Sequence, residues 1–257
     1  MALIELDFRS GAINYHEEVM VVLPDGQWKT PYPVLWLMHG GMQDCSEWLR
    51  QTSIERYANK RGLAVVMPTY TNGLGTDMVH GFDYYTMLSE EVPAAIRAML
   101  PCLSKDPAEN FVAGASFGGY TAYKLALDHP ERYAAAGAFG GALDIEAILS
   151  LTANDGNTEV PRDITLAFGT AADIPGTVND LFYLAARCRE QGNVPKLWSV
   201  VGRQDFVYPS LTESLRKFRE IGLTIDDYYT DGTHCFDTWD PFVEQFLDWL
   251  PLKGGNR

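Results

Sequence analysis

Residues Asn110-Phe111-Val112-Ala113-Gly114-Ala115-Ser116-Phe117-Gly118-Gly119-Tyr120 set a Gly-x-Ser-x-Gly pentapeptide between a short apolar run and a helix-forming one. In that context Ser116 is a candidate nucleophile at a nucleophile elbow: a tight strand-to-helix turn strains its backbone and lifts its hydroxyl above the sheet. Side chains larger than Gly at 114 and 118 would clash where strand and helix pass closely. The pentapeptide by itself is a weak signal, and its flanks carry the argument. The chemistry implied is attack of Ser116 on an acyl carbon; the other reading is a glycine-rich turn with an idle serine.

A serine hydroxyl is a poor nucleophile at neutral pH, so a general base must lie within hydrogen-bond reach and a carboxylate must hold that base in the right tautomer. Around an elbow of this kind the chain order is serine, acid, histidine. Only His129 and His234 follow Ser116. His129 falls at the predicted C-terminus of the elbow helix, some 20 Å from the nucleophile at ~1.5 Å per residue, where it interacts with the helix end instead. His234, in Asp231-Gly232-Thr233-His234-Cys235-Phe236, follows the last predicted strand and is the expected base. Two acids compete for the third role. Asp205 lies in the turn of the neighbouring strand, one helix and one strand before His234; Asp173 sits a further helix and strand away, so Asp205 is favoured. For each, the alternative is a solvated loop carboxylate or a helix cap. A tetrahedral intermediate also needs two donors, expected from the backbone N–H groups of Phe117 and Gly41 in the His39-Gly40-Gly41 turn. Met42 is the substitute donor if that loop is shifted, and His39 is expected to be structural.

These residues need a scaffold that brings several loops to one edge. Period-2 segments at Leu3 to Phe8 and Tyr15 to Leu23 predict a β-hairpin, and Pro33 to Met38 is continuously apolar, as a strand covered on both faces should be. Helices near Ser53 to Arg61, Tyr84 to Leu100 and Tyr120 to His129 then alternate with strands Leu63 to Pro68, Phe111 to Ala115 and Tyr133 to Phe139. After a less regular stretch, Gly140 to about Asn179, come helix Asp180 to Gln191, strand Lys196 to Val201, helix Pro209 to Ile221, strand Thr224 to Thr230 and helix Pro241 to Leu250. Such alternation predicts an α/β fold, a mostly parallel central sheet with helices on both faces, and the elbow at Ser116 makes the α/β-hydrolase fold the expected one. The expected organisation is one domain over residues 1–257, with 140–179 as a short polar lid-like excursion.

Composition narrows the partners. The 257 residues carry a formal net charge of −14 and are 46% hydrophobic, enough for one large core. That charge disfavours nucleic acid and anionic membrane surfaces, and a small neutral or weakly charged substrate fits better. No apolar stretch approaches a membrane span, and the N-terminus lacks the pattern of a secretion signal, so a cytoplasmic protein is expected. Cys45, Cys102, Cys188 and Cys235 are scattered without CxxC spacing and are taken as reduced packing residues. There is no phosphate loop, dinucleotide turn or histidine pair at metal spacing, so neither cofactor nor metal is expected. Aromatic residues Trp48, Tyr70, Phe82, Tyr84 and Tyr85 are candidate cleft residues, although such side chains are more often core.

Taken together, Leu37-Met38-His39-Gly40-Gly41 with Trp48, Gly62 to Pro68, Gly114 to Tyr120, Asp180-Leu181-Phe182, Gly202 to Tyr208, and Gly232-Thr233-His234 with Trp239 resemble the esterase D group of α/β-hydrolases. That group includes tributyrin-type carboxylesterases, S-formylglutathione hydrolases and some acetyl or cinnamoyl esterases, and the resemblance is to the tributyrin esterase branch in particular. It covers nearly the whole chain in order. It implies Ser116, Asp205 and His234 as triad, a non-catalytic Asp173, and a homo-oligomer. Gly41 and Cys235 depart from the family, which often carries larger or charged residues there. The expected reaction is hydrolysis of short-chain acyl esters, acetyl to butyryl, because the 140–179 stretch is short and polar. Acetylated carbohydrate or feruloyl esters, S-formylglutathione, and acyl transfer to an alcohol with the same triad are the alternatives.

Overall fold

The computed structural model describes residues 1–26, 28–152 and 159–252. In chain order its elements are β1 (Ala2–Arg9), β2 (His16–Leu23), β3 (Val34–Met38), α1 (Glu47–Gln51), α2 (Ile54–Asn59), β4 (Ala64–Pro68) and α3 (Tyr84–Thr86), which runs through a π-helical turn, Met87–Glu91, into α4 (Val92–Met99). There follow β5 (Asn110–Ala115), α5 (Phe117–Asp128), β6 (Ala135–Phe139), α6 (Ile145–Thr152), α7 (Glu159–Phe168), α8 (Leu181–Gln191), β7 (Lys196–Gly202), α9 (Tyr208–Ile221), β8 (Ile225–Thr230) and α10 (Phe236–Trp249).

The strands form one eight-stranded sheet in the order β1-β2-β4-β3-β5-β6-β7-β8. The predicted hairpin is there: β1 pairs antiparallel with β2, and β2 antiparallel with β4. Every other pairing is parallel. β3, β4, β5 and β6 are buried along their whole length. Alternate side chains feed two cores: Val34, Trp36 and Met38 face one, Leu35 and Leu37 the other. Parallel strands end at the same edge, so the turns after β3, β5, β7 and β8 gather there, beside the centre of the sheet.

Three sequence expectations need correction. The stretch read as irregular, 140–179, holds α6, α7 and a 3₁₀ turn at Ala171–Asp173; residues 153–158 within it lie outside the described residues. Its helicity has a local cause, since Asp144 Oδ1 accepts the Ala147 N–H at 3.0 Å and starts α6. Ile145 and Ile148 of α6, and Ile164, Ala167 and Phe168 of α7, are then buried against the main core. The elbow helix starts at Phe117 rather than Tyr120, because the turn is completed within Ser116 itself. Finally, α10 begins at Phe236 with Pro241 inside it, five residues before the helix start that the proline predicts.

Candidate active site

Ser116 stands at the junction of β5 and α5 with φ 55° and ψ −121°, a strained conformation for a residue with a Cβ. The neighbours allow no relaxation. Its N–H donates to the Phe139 carbonyl at 2.9 Å, and its carbonyl accepts from Gly119 at 3.0 Å and Ala142 at 3.1 Å. A Cβ on Gly114 would lie 2.3 Å from the Gly118 carbonyl, and one on Gly118 2.4 Å from the His39 carbonyl oxygen. The two glycines of the pentapeptide are therefore demanded by contact, and β3, β5 and α5 lock the serine between them.

His234 and Asp205 come together at the cleft that Ser116 also lines. The His234 Nδ1 lies 2.9 Å from both carboxylate oxygens of Asp205, whose side chain is fully buried. An ionised carboxylate only accepts, so Nδ1 carries the proton and Nε2 is left as the acceptor. Asp205 is itself oriented by the Val207 N–H, which donates to Oδ1 at 2.9 Å. The imidazole is flanked by Phe206, with ring centroids 4.5 Å apart, and by the edge-on Trp239 at 4.9 Å. Ser116 and His234 share the lining of one cleft of about 650 Å³, together with Gly41 and Phe117.

The loop after β3 is pinned from below. His39 is buried, accepts the Tyr70 N–H at Nε2 (3.2 Å), and donates from Nδ1 to the Gly40 carbonyl at 2.6 Å. Burial pushes its imidazole down to about 4, so it is neutral and can accept as this arrangement needs. Tyr70 stacks on the ring at 4.1 Å and donates its hydroxyl to the His39 carbonyl at 2.6 Å. From above, Gln43 Oε1 accepts the Gly40 N–H at 2.7 Å. The Met42 N–H is engaged by Asn72 Oδ1 at 2.7 Å, which takes it out of competition with Gly41 as a donor to the cleft. Gly41 packs directly against the Phe117 ring, where an added Cβ would meet Cδ2 at 3.1 Å. The Phe117 N–H belongs to the first turn of α5, where intrahelical partners are lacking.

Other candidates lie elsewhere. The Asp173 carboxylate caps its own 3₁₀ turn, accepting from the Thr170 N–H and hydroxyl, and these bonds hold its carboxyl below the usual range. His129 is the C-cap of α5, beside Asp128 and Glu131. Trp48, Tyr70, Tyr84 and Tyr85 are core residues, and the exposed Phe82 packs on Tyr15 and Tyr84. The aromatic walls of the cleft are instead Phe117, Phe206, Phe236 and Trp239, joined by Ile148 of α6. A signal for them was present: Phe117 and Phe206 immediately follow Ser116 and Asp205, and Phe236 lies two residues after His234, so the turns that present the polar groups also present these rings. Cys235 is another cleft residue rather than a packing one. Hydrogen bonding with the Thr233 and Thr238 hydroxyls, at 3.4 and 3.5 Å, holds its thiol below the usual range. Among the described residues no group of three His, Cys, Asp or Glu side chains is arranged to hold a metal ion, and no helix is long and apolar enough to cross a membrane.

Residues 10–251 match the model of a protein family described as "Putative esterase". An acetyl esterase of Caldicellulosiruptor saccharolyticus is 22% identical over 262 residues, covering 97% of this chain and 98% of that one. Among solved structures, the Staphylococcus aureus fluorophosphonate-binding serine hydrolase FphF superposes with a TM-score of 0.87 at 29% identity, over 97% of this chain and 98% of that one. An S-formylglutathione hydrolase (FrmB) from Staphylococcus aureus gives 0.85 at 29% identity with the same coverage.

Proposed function

The chain belongs to this esterase family, an α/β-hydrolase that acts on carboxylic ester bonds, and from that premise we propose that it is a serine carboxylesterase for short-chain acyl esters, acetyl to butyryl, with Ser116, Asp205 and His234 as its triad. The observation that carries the reading is the His234–Asp205 hydrogen bond at 2.9 Å, set beside a serine held at positive φ in the same cleft. His234 Nε2 takes the proton of Ser116 as Oγ bonds to the ester carbonyl carbon, and the Phe117 and Gly41 N–H groups receive the developing oxyanion. The imidazolium, steadied by Asp205, then returns that proton to the departing alkoxide as the C–O bond breaks. Water, deprotonated by His234, attacks the acyl-enzyme, and the proton passes back to Ser116 as the acid leaves. The short acyl preference rests on the aromatic rings Phe117, Phe206, Phe236 and Trp239 that wall the cleft lined by Ser116.

S-formylglutathione hydrolysis is the second reading, favoured by the 0.85 superposition on the Staphylococcus aureus S-formylglutathione hydrolase. The test is turnover of p-nitrophenyl esters from acetate to long acyl chains, alongside S-formylglutathione and methyl ferulate, for wild type and Ser116→Ala. We expect rates peaking between acetate and butyrate and falling at least 10³-fold in the variant. Full turnover by Ser116→Ala on every ester would end the proposal, and activity confined to the glutathione thioester would replace it with the second reading.

A further inference from the structure

Asp237 occupies the first turn of α10, three residues after His234, and its exposed side chain lines the same cleft as Ser116. Among the described residues lining that cleft, it is the one acidic side chain, and neither lysine nor arginine contributes to the lining. The remaining walls are apolar groups such as Phe206 and Ile148, the carboxamides of Gln43 and Gln51, the Ser116 hydroxyl, the His234 imidazole and the Cys235 thiol. The chain as a whole carries a formal net charge of −14. A bound anionic substrate would therefore sit in a partly desolvated cleft facing a fixed like charge, with no guanidinium or ammonium from the lining to compensate.

Resting on the ester-hydrolase reading of this cleft, we infer that the site selects uncharged or cationic esters over anionic ones, with Asp237 as the residue that sets this specificity. Because the Asp237 side chain is exposed, solvent screens its charge strongly, and the discrimination expected is about three- to tenfold in kcat/KM. The inference turns the substrate question toward neutral acyl esters, such as those of uncharged sugars or simple alcohols. It turns it away from glutathione thioesters, whose tripeptide carries two carboxylates.

The experiment compares three aryl acetates with one acyl group: methyl 4-acetoxybenzoate (neutral), 4-acetoxybenzoate (anionic) and 4-acetoxy-N,N,N-trimethylanilinium (cationic), each rate divided by its rate of hydroxide hydrolysis. At low salt the wild-type order of kcat/KM should be cationic at or above neutral, and neutral three- to tenfold above anionic. Asp237→Asn should halve the neutral-to-anionic ratio or better, and Asp237→Lys should bring it to one or invert it. The ratio is the readout, so a general loss of activity in a variant cancels, and each variant's thermal midpoint checks that it is folded. An anionic ester turned over as fast as the neutral one by wild type would overturn the inference. So would a ratio unchanged in Asp237→Asn and Asp237→Lys, which would assign the selection to net charge alone. If Ser116-dependent turnover of the neutral ester is itself absent, the ester-hydrolase reading has failed instead, and the two failures are distinct.

Discussion

The carboxamide of Gln43 is a small group with a specific task. Its Oε1 accepts the Gly40 N–H at 2.7 Å, so the peptide preceding Gly41 is held from the cleft side while His39 and Tyr70 hold it from beneath. Gln43→Met keeps the length of the side chain and removes the acceptor, leaving a buried backbone N–H without its partner at a cost of about 1–3 kcal/mol. An oxyanion donor acts mainly in the transition state, so the loss should appear in kcat and hardly in KM. We expect kcat on p-nitrophenyl butyrate to fall about tenfold with KM changed less than threefold; an unaltered kcat would mean that Gln43 does not position the loop. Nothing in the spacing of Gln43 announced this contact. Asp205 and His234 were readable as neighbours because each ends a strand and the two strands are consecutive, whereas Gln43 and Asp237 acquire their surroundings only when separate loops meet at the sheet edge.

Elements were legible where one periodicity dominates, and less so where punctuation residues crowd a short helix. The continuously apolar strands β3, β4 and β5 matched their predicted positions to within a residue or two, since burial on both faces leaves no polar alternation to misread. In the stretch containing α6 and α7, frequent Gly, Asp, Asn and Thr mask the Ile145–Ile148 spacing and the Asp144 cap that start α6. At the elbow the fit between elements makes a sharp prediction. A Cβ on Gly118 would stand 2.4 Å from the His39 carbonyl oxygen and 2.6 Å from that of Met38, both backbone atoms at the end of a central strand. One on Gly119 would meet the Gly141 Cα at 3.0 Å, the Ala138 Cβ at 3.1 Å and the Gly114 carbonyl oxygen at 3.3 Å, contacts that call for shifts of only a few tenths of an ångström. Gly118→Ala should cost about 3 kcal/mol or more, or prevent folding, because strand and helix must separate. Gly119→Ala should stay within about 1 kcal/mol of wild type, since the gain of a better helix former offsets mild crowding. Urea unfolding of the pair reads the difference directly, and equal midpoints would refute the close-contact account of the pentapeptide.

For the molecule as a whole, the acidic excess was plain in the sequence, but where it presses hardest depends on strand register. Antiparallel pairing of β1 with β2 sets Asp7 opposite Glu18 and Phe8 opposite Glu17, at the edge of the sheet farthest from β8 and His234. Half-burial, with added repulsion from Glu18 and Asp7, pushes the Glu17 carboxyl up to about 7 from an ordinary 4.5. The folded chain therefore holds a proton at Glu17 that the unfolded chain has released, over the window from about 4.5 to 7. Its contribution is fully present below pH 4.5 and is lost as pH rises through 7, which is the direction for a carboxylate with a raised value. Glu17→Gln mimics the protonated form at every pH. After discounting for solvent screening of a half-exposed group, the variant should be about 1–2 kcal/mol more stable than wild type at pH 7.5 and nearly equal to it at pH 4.5, with an intermediate gain at pH 6. Urea unfolding at those three values measures the difference. A gain of the same size at all three would show that the substitution acts through packing or hydrogen bonding instead, because only a titration confines the effect to that window.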